Sequence, residues 1–493
     1  MLVSELAAIL QPVESSSYSD APITGLAFDS RRITPGMVFF ALPGNNTDGC
    51  KHIDEALSRG ACAVVTERTG STHSRAAELC VKDSRLALAR AASAYYANPS
   101  GELRLIGVTG TNGKTTVTFI IQHLLQNARM KTGLIGTVRY EIGDRSIPAQ
   151  RTTPESLVIQ HYLRDMIRAG CTACSMEVSS HALVQQRVEC LRFEVAVFTN
   201  LTGDHLDYHG DMEKYFLAKA QLFRAGTDRP LPAHAVINCD DSFGQRLAQS
   251  MTGVEVCTFG IGGDATVRAE SIRLDATESR FQLRTLKGDR ACRIPFIGRH
   301  NIYNSLAAAG TCLSLGVSLD DIVNGLDHAP SVPGRLEPVL AGQPFGVFID
   351  YAHTDDALMQ VLRTLRDVTR GRLLVAFGCG GNRDAGKRSR MGAVAALMAD
   401  CTVITSDNPR RESADEIARQ IAIGFRAECG KDPIIELDRR AAIDLVIGMA
   451  KAGDIVLIAG KGHETYQEFA ETVVPFDDGW HSRQSLEAIG FSS

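Results

Sequence analysis

The residues best suited to chemistry form a glycine-rich segment, residues 109–116, which reads Thr-Gly-Thr-Asn-Gly-Lys-Thr-Thr. Small residues let backbone N–H groups turn toward phosphate oxygens, and the N-terminus of a following helix adds the positive end of its dipole. In this pattern Lys114 would bridge the terminal phosphates and Thr115 would hold Mg²⁺. Val108 stands where the strict spacing requires a first glycine. The segment still predicts nucleotide binding, by Gly110, Thr111, Asn112, Gly113, Lys114, Thr115 and Thr116.

Two more polar clusters lie where predicted strands end: residues 177–181 (Glu-Val-Ser-Ser-His) and residues 200–207. Either cluster alone is more typical of hydrogen-bonded loops. Their shared position at strand ends near a phosphate loop favours a hard-cation site, with Glu177 and His205 as candidate Mg²⁺ ligands. Lys219 follows in an amphipathic stretch, and composition alone favours a solvated lysine there.

The elements that must position these residues alternate between strand and helix. Strands are predicted over 103–108, 174–178 and 195–199, with a helix over 115–128. Another helix opens near Thr153, which we expect to cap it. This βαβ alternation predicts a mainly parallel sheet with helices on both faces.

The regions on either side of this sheet have the same alternating pattern. Turn-forming residues at 98–101 and 331–334 predict boundaries, which give three α/β domains: residues 1–98, residues 99–331 with a central P-loop-type sheet, and a Rossmann-like domain over 332–493. The other predicted strands are 37–42, 62–65, 133–138, 347–350, 373–378, 402–406 and 455–459, and the other predicted helices are 84–98 and 355–368.

Composition excludes several classes of protein. The 493 residues are 44% hydrophobic with a net charge of -5, so a nucleic-acid-coating protein is not expected. No apolar run approaches the ~20 residues that span a bilayer. The N-terminus lacks the basic region of a signal peptide, and the thirteen cysteines are scattered, so we expect a cytoplasmic, disulfide-free protein. Cys171 and Cys174 are expected to be buried, not metal ligands.

A series of short motifs follows one another along the chain. Beyond the glycine-rich loop they are residues 151–154 (Arg-Thr-Thr-Pro), 177–181, 204–209 (Asp-His-Leu-Asp-Tyr-His), 333–335 (Pro-Gly-Arg), 350–353 (Asp-Tyr-Ala-His), 378–381 (Gly-Cys-Gly-Gly), 407–410 (Asp-Asn-Pro-Arg) and 460–464 (Gly-Lys-Gly-His-Glu). In this order they resemble the Mur ligase family over essentially the whole chain. The resemblance is to the members that add 2,6-diaminopimelate to UDP-N-acetylmuramoyl-L-alanyl-D-glutamate.

The resemblance implies a set of substrate contacts. The UDP-muramyl substrate would meet Ser30, Asn45, Asn46, Thr47, Thr152, Thr153, Ser179, Gln185 and Arg187. The adenine and ribose of ATP would be bordered by His300, Asn301, Asn304 and Asp350. Diaminopimelate would meet Arg383, Asp407, Asn408, Pro409, Arg410, Gly460 and Glu464.

The resemblance also implies an ATP-dependent amide ligase of peptidoglycan precursor synthesis, working through an acyl phosphate. Lys114, Arg335 and two Mg²⁺ ions would offset the charge on the transferred phosphoryl group, and His353 would assist the amine. Lys219 matches a lysine that such ligases carry as a CO₂-derived N-carbamate. As an anion it would join Thr115, Glu177 and His205 as a metal ligand.

Other functions remain open from the sequence. A lysine-adding or other Mur ligase would share most of these motifs, whereas folylpolyglutamate synthase shares the phosphate loop but lacks the clusters at Ser30 and at residues 407–410. A nucleotide-controlled switch is a third possibility, although no guanine-reading Asn-Lys-x-Asp is present. We expect a monomer acting on small-molecule substrates, with no nucleic-acid partner and no integral membrane contact.

Overall fold

The structure is a computed structural model, and it describes residues 1–16, 20–44, 48–68 and 76–492. The chain forms two compact units. The first comprises Met1–Val267 with Ala307–Ser318, and the second comprises Arg268–Leu306 with Leu319–Ser493. No helix in the described ranges has the length and apolar character needed to cross a lipid bilayer.

The first unit begins with a small sheet whose strands run in the order β1-β5-β4-β3-β2, all parallel except β1. Val38, Phe40, Val65 and Leu79 are fully buried in its core. The elements are α1 (Val3–Leu10), β1 (Glu14–Ser15), β2 (Gly25–Ala27), β3 (Met37–Phe40), α2 (Ile53–Ser58), β4 (Ala63–Thr66), β5 (Ala77–Cys80) and α3 (Ser84–Tyr95), with short 3₁₀ helices at Ser30–Arg32 and Gly49–His52.

The same unit continues into a larger sheet. Its elements are a 3₁₀ helix (Pro99–Gly101), β6 (Arg104–Thr109), α4 (Lys114–Asn127), β7 (Thr132–Ile135), β8 (Arg139–Ile142), β9 (Arg145–Pro148), α5 (Ser156–Arg168), β10 (Ala173–Glu177), α6 (Ser180–Val184), β11 (Val195–Phe198), α7 (Leu206–His209), α8 (Met212–Ala220), a 3₁₀ helix (Gln221–Phe223), β12 (His234–Asn238), α9 (Ser242–Gln249) and β13 (Glu255–Gly260). The strand order is β13-β12-β11-β6-β10-β7-β8-β9, parallel from β13 to β7.

Strand β6 lies in the middle of this sheet because it is apolar on both faces. Leu105, Ile106 and Val108 are completely buried between β10 and β11. Such continuous apolar runs are typical of parallel strands covered by helices. The carboxyl ends of β6, β10 and β11 therefore lie side by side, and the polar segments that follow these three strands are neighbours.

The second unit carries an antiparallel meander and a separate parallel sheet. Its elements are β14 (Val267–Leu274), which begins at the last residue of the first unit, β15 (Ser279–Thr285), β16 (Gly288–Ile294), α10 (Arg299–Ser314, whose last turns belong to the first unit), α11 (Leu319–Asp327), β17 (Glu337–Pro338), β18 (Gly346–Asp350), α12 (Asp355–Val368), β19 (Leu373–Phe377), α13 (Gly386–Met398), β20 (Cys401–Ile404), α14 (Ala414–Cys429), β21 (Ile434–Ile435), α15 (Arg439–Gly448), β22 (Ile455–Ala459), β23 (Tyr466–Phe469), β24 (Thr472–Pro475) and α16 (Asp478–Ala488).

The parallel sheet of the second unit has the order β17-β18-β22-β19-β20-β21, and only β17 is antiparallel. A completely buried ion pair fixes the carboxyl ends of its strands. Arg439 makes two bonds of 2.7 Å to the Asp478 carboxylate and also donates to the carbonyl oxygens of Ser406 and Ala459. Removing one partner of such a pair typically destabilises a fold by ~3–5 kcal/mol.

The predicted α/β class with mainly parallel sheets is confirmed, and each predicted region contains its own sheet. Most predicted elements occur within a few residues of their predicted bounds. The helix predicted to Asn98 ends at Tyr95, because Ala97 and Asn98 have positive φ values of 58° and 50°. The buried state of Cys171 and Cys174 is confirmed, and all thirteen cysteines, which lie in the described ranges, are free.

The predicted cap at Thr153 is wrong. Helix α5 begins at Ser156 with Glu155 in the capping position and no side-chain cap. The Thr153 hydroxyl instead donates to the Glu177 carbonyl at 2.8 Å and accepts from the Ser179 amide at 3.1 Å. Thr153 therefore bonds to residues 177 and 179 and not to the first turn of α5. These bonds tether the loop before α5 to the end of β10.

Candidate active site

The loop between β6 and α4 turns tightly because glycine occupies its crowded positions. Gly110 has a φ of 145°, and a Cβ there would lie 1.9 Å from Oγ1 of Thr199. Gly113 has a φ of 87° at the start of α4. The Lys114 ammonium donates to the carbonyl oxygens of Gly110 and Thr111, at 3.0 and 2.7 Å. The predicted succession of strand, glycine loop and helix is confirmed.

Lys219, on α8, is buried with 1% of its surface exposed, so the solvated position that composition favoured is wrong. Its ammonium donates to the same Gly110 carbonyl oxygen, at 2.7 Å, and lies 4.4 Å from the centre of the Tyr215 ring. Burial lowers the pKa of Lys219 well below its ordinary value, and the Lys114 charge lowers it further. Across the described ranges, no carboxylate forms an ion pair with Lys219.

The side-chain nitrogens of two lysines therefore converge on one carbonyl oxygen. The two nitrogens bond to the same oxygen atom, at 3.0 Å for Lys114 and 2.7 Å for Lys219, so they lie close to each other. Like charges at such a distance repel, most strongly where burial removes water. The arrangement is suited to receiving anionic groups.

Glu177, at the end of β10, is completely buried and holds three donors. Its Oε2 accepts from the hydroxyls of Thr115 and Thr137, at 3.1 and 3.0 Å, and its Oε1 accepts from the Thr137 amide at 2.7 Å. Gly136 permits this approach, because a Cβ there would lie 2.6 Å from Glu177 Oε1. The sequence did not point to Thr137, which follows β7 and is 40 residues from Glu177.

The donors present fit Mg²⁺ bound together with a nucleotide. Thr115 and Glu177 supply a hydroxyl and a carboxylate oxygen in direct contact. Mg²⁺ commonly takes one or two carboxylates from protein, with water and substrate phosphates as its other ligands. No group of three or more His, Cys, Asp or Glu side chains suited to a metal ion exists among the described residues.

The other predicted metal ligand, His205, is half exposed and lies beside two aromatic rings. The His205 ring centre lies 5.0 Å from that of His181 and 6.3 Å from that of Tyr215. His209 packs 4.9 Å from Tyr215 and forms a 2.9 Å hydrogen bond with the Ser180 hydroxyl. Burial lowers the pKa of His181 to about 4, and partial desolvation lowers the pKa of His205 below its ordinary value.

The structure brings together the residues predicted to meet the muramyl peptide near the end of β10. The Arg187 guanidinium donates to the Thr153 carbonyl at 2.9 Å and to Gln185 Oε1 at 2.6 Å. Ser179 contacts Thr153 through its amide, and Thr152 lies 3.0 Å from the Thr137 hydroxyl. This connects the group to Glu177 and to the phosphate loop.

An arginine cluster that the sequence did not reveal surrounds Glu155. Arg151, Arg187 and Arg85 lie 2.7, 3.1 and 3.7 Å from the Glu155 carboxylate. Three guanidinium groups around one carboxylate leave an excess of positive charge beside the predicted peptide contacts, where an anionic substrate would be favoured.

The predicted contacts in the N-terminal region are described only in part. Ser30 is buried, and its hydroxyl donates to Glu55 Oε2 at 2.7 Å. Asn45, Asn46 and Thr47 lie outside the described residues.

In the second unit, Asp350 is the last residue of β18, His353 follows that strand and Arg335 precedes β17. Both Asp350 oxygens accept backbone amides, from Leu336 and Ala352, at 2.7 and 2.8 Å, and burial raises the Asp350 pKa. The Arg335 guanidinium stacks 5.1 Å from the Tyr351 ring centre, and the His353 ring lies 4.6 Å from it. Arg335 and His353 thus share Tyr351 as a platform.

A second cluster of predicted residues lies after β20 and β22. Asn408 Nδ2 donates to Glu464 Oε2 at 2.8 Å. Gly460 has a φ of 111° and closely approaches the buried Asp407 carboxylate, because a Cβ there would lie 2.6 Å from Asp407 Oδ2. Burial raises the pKa of Asp407, while Arg439 and Lys461 lower it.

Arg410 is already partly engaged by protein groups. Its Nε donates to Glu468 Oε2 at 2.8 Å and its Nη1 donates to the Gly381 carbonyl at 2.9 Å. Bidentate hydrogen bonding to a ligand carboxylate would therefore use Nη1 and Nη2 of the guanidinium, since Nε already donates to Glu468. Arg383 is exposed, and its stem flanks Gly380 on the side that Nη1 of Arg410 also approaches.

The residues predicted near adenine lie at the start of α10. Asn304 Nδ2 donates to Asn301 Oδ1 at 3.0 Å, and Asn301 Nδ2 donates to the Ile297 carbonyl oxygen at 3.0 Å. His300 Nδ1 lies 3.2 Å from the Thr364 hydroxyl.

Comparison with known proteins identifies the family. Three family descriptions match: "Mur ligase family, catalytic domain" over residues 22–96, "Mur ligase middle domain" over 108–312 and "Mur ligase, glutamate ligase domain" over 334–462. The chain belongs to the Mur ligase family.

Similar members of the Mur ligase family match over almost the full length. UDP-N-acetylmuramoyl-L-alanyl-D-glutamate–2,6-diaminopimelate ligases of Geobacillus kaustophilus and Geobacillus thermodenitrificans are 46% and 47% identical. The matches cover 95% and 94% of this chain and 96% and 95% of theirs. A solved structure of a ligase of that name has a TM-score of 0.69 at 34% identity, covering 96% of both chains. The MurF ligase of Thermotoga maritima, solved in complex with ADP, shares the fold. It is 20% identical with a TM-score of 0.61, and the match covers 88% of this chain and 93% of its own.

Replacing Lys114 with alanine should abolish ATP turnover and leave the fold intact, because the side chain contacts loop carbonyls and not the core. Loss of one preorganised charge contact to a transition state typically costs ~10²- to 10³-fold in rate. ADP release should be measured alongside circular dichroism and a thermal melt. Lys131→Ala, an exposed lysine of the same unit, is the matched control. A folded Lys114→Ala enzyme with unchanged turnover would show that this loop does not bind the reacting phosphate.

Proposed function

We propose that this chain is an ATP-dependent ligase that joins meso-2,6-diaminopimelate to UDP-N-acetylmuramoyl-L-alanyl-D-glutamate in peptidoglycan precursor synthesis. The observation that carries the proposal is the convergence of Lys114 and Lys219 on the Gly110 carbonyl, at the head of a phosphate-type loop. The substrates are those named for the Geobacillus relatives, which align with nearly the entire chain.

The chemistry requires ATP because a carboxylate is a poor electrophile. An oxygen of the muramyl-peptide carboxylate attacks the γ-phosphorus of ATP, which releases ADP and forms an acyl phosphate. The amine of diaminopimelate then attacks the acyl carbon, phosphate departs, and the ammonium proton is lost to solvent or a base. We assign Lys114 and Arg335 to offset the charge of the transferred phosphoryl group, and His353 to receive the proton.

Thr115, Glu177 and His205 would hold Mg²⁺, and the bound ion would stabilise the phosphates of ATP electrostatically.

Lys219 is proposed to act as a carbamate. An amine and CO₂ combine to give the carbamate anion and one proton, and the reaction requires the neutral amine that burial favours here. A buried ammonium beside Lys114 would repel a metal ion. A carbamate would instead reverse the charge at that position, offset Lys114 and add oxygen ligands for a second Mg²⁺.

The substrate contacts are assigned on the same basis. The muramyl substrate would meet Ser30, Asn45, Asn46 and Thr47, and its peptide would lie beside Thr152, Thr153, Ser179, Gln185 and Arg187. His300, Asn301 and Asn304 would border adenine, and Asp350 the ribose. The excess of positive charge around Glu155 supports an anionic peptide in this region.

Diaminopimelate differs from lysine by a carboxylate at its far end, and the second unit offers groups for it. Arg410 and Arg383 would bind that carboxylate, while Gly460 and Glu464 would take the backbone and ammonium of the same centre, beside Asp407, Asn408 and Pro409. We further propose a cytoplasmic monomer with domains at residues 1–98, 99–331 and 332–493.

The decisive assay for the function measures ADP release from the purified chain while each substrate is omitted in turn. The proposed ligase releases ADP only when ATP, the muramyl dipeptide and diaminopimelate are all present. Release with L-lysine in place of diaminopimelate would identify a lysine-adding ligase. Release with neither amino acid nor muramyl substrate would contradict a ligase and indicate a nucleotide-controlled switch.

Replacing Lys219 with alanine should leave almost no activity, and short carboxylic acids should partly restore it by supplying the missing anion. In the wild-type enzyme, ¹³C-labelled bicarbonate should give a carbamate resonance that acidification removes. Lys214→Ala, an exposed position on the same helix, is the matched control. Full activity of Lys219→Ala, or no carbamate signal in active enzyme, would contradict the modification.

Replacing Arg410 with alanine should raise the KM for diaminopimelate far more than that for ATP or the muramyl dipeptide. Truncating a buried, hydrogen-bonded charge partner typically costs ~2–5 kcal/mol, which corresponds to a factor of roughly 30 or more. Arg411→Ala is a matched control, because that neighbour is exposed and pairs with Glu471. Equal efficiency of wild-type enzyme with L-lysine would refute the specificity assignment and leave the ligase assignment intact.

A further inference from the structure

Lys461 is a buried lysine with no proposed contact to ATP, the muramyl substrate or diaminopimelate. It follows β22 and has none of its surface exposed. Its ammonium donates to Asn408 Oδ1 and to Glu464 Oε2, each at 3.0 Å, and lies 5.3 Å from the centre of the Tyr466 ring. A lysine is rarely buried completely unless it is paired, so this environment has a specific structural purpose.

The three polar side chains form a closed triangle. Asn408 Nδ2 donates to the same Glu464 Oε2 that accepts from Lys461, at 2.8 Å. The Asn408 oxygen also accepts the Glu468 amide at 3.1 Å, and this fixes which way the Asn408 amide faces. Each member therefore has its orientation set by the other two, as expected for a satisfied buried network.

The triangle holds one oxygen of Glu464 and leaves the other available. Within the described part of the chain, no group hydrogen-bonds to Oε1 of Glu464, whose side chain is 19% exposed. A carboxylate anchored through one oxygen presents the other at a fixed position, which suits recognition of a ligand ammonium.

Lys461 also balances charge at the ends of β20 and β22. Asp407 is buried there, and both Lys461 and Arg439 stabilise its anionic form, whereas Glu464 opposes it. If Lys461 were removed, Arg439 would be the one cation of this group left to balance three carboxylates. These are Asp407, Glu464 and Asp478. The repulsion would favour rotation of Glu464 away from the cluster.

We propose that Lys461 is a positioning residue for the incoming amino acid: it orients Glu464, together with Asn408, so that the free carboxylate oxygen binds the ammonium of a zwitterionic substrate. This inference rests on the proposed function, which places diaminopimelate at Glu464. It assigns Lys461 no contact with the substrate.

The test compares Lys461→Met, Lys461→Arg and Lys461→Gln with wild-type enzyme, using ATP, the muramyl dipeptide and meso-diaminopimelate. Lys461→Met should raise the KM for diaminopimelate by about 10-fold or more, since small misplacements of binding groups can cost up to ~10²-fold. The KM values for ATP and the muramyl dipeptide should stay within about twofold. Lys461→Arg, which keeps the charge, should recover most of the loss. Lys431→Met, at an exposed lysine of the same unit, is the control.

Circular dichroism and thermal melts establish that each variant is folded. If Lys461→Met does not fold, Lys461→Gln, which retains a polar end, is measured by the same criteria. An unchanged KM for diaminopimelate, an equal rise in all three KM values, or a folded Lys461→Arg as defective as Lys461→Met would overturn the inference. Absence of diaminopimelate-dependent ADP release by wild-type enzyme would instead overturn the proposed function.

Discussion

The Gly110 carbonyl oxygen accepts hydrogen bonds from the side-chain nitrogens of Lys114 and Lys219, and this shared contact holds the phosphate loop against α8. Lys114 comes from the phosphate loop itself and Lys219 from a helix more than a hundred residues later, so the convergence depends on the order of β6, β10 and β11. Glycine is required because any Cβ at residue 110 would collide with Thr199. Anionic groups bound at this loop would offset the positive charge of Lys114.

The second unit has a comparable arrangement at the ends of its own parallel strands. Arg439 and Asp478 form a closed, buried pair that ties the strand ends together. Around them, Lys461 and Asn408 orient Glu464, while Arg410 donates to Glu468 and to the Gly381 carbonyl oxygen. In both units the parallel sheet brings residues distant in sequence to one edge, where buried charges are only partly compensated by protein groups.

Local sequence patterns predicted most of the architecture and the residues of the phosphate loop. Apolar runs and turn residues gave most strands of both parallel sheets to within a few residues. The sequence could not predict contacts that require the strand order. Lys219 resembled a surface lysine, Thr153 resembled a cap, and neither Thr137 nor the arginine cluster around Glu155 carried a local signal. Apart from the Arg151–Glu155 pair, which is an i,i+4 contact, each depends on partners 24 or more residues away, or on burial that a single helix does not determine.

The central claim is that the first unit activates a carboxylate with ATP. The most direct test measures whether oxygen passes from the muramyl dipeptide to phosphate. The acceptor carboxylate of the dipeptide is labelled with ¹⁸O, and the products are analysed by mass spectrometry after turnover with diaminopimelate. An acyl-phosphate route places one ¹⁸O in inorganic phosphate, one in the new amide and none in ADP. Unlabelled phosphate, or label in an adenine nucleotide, would contradict this chemistry.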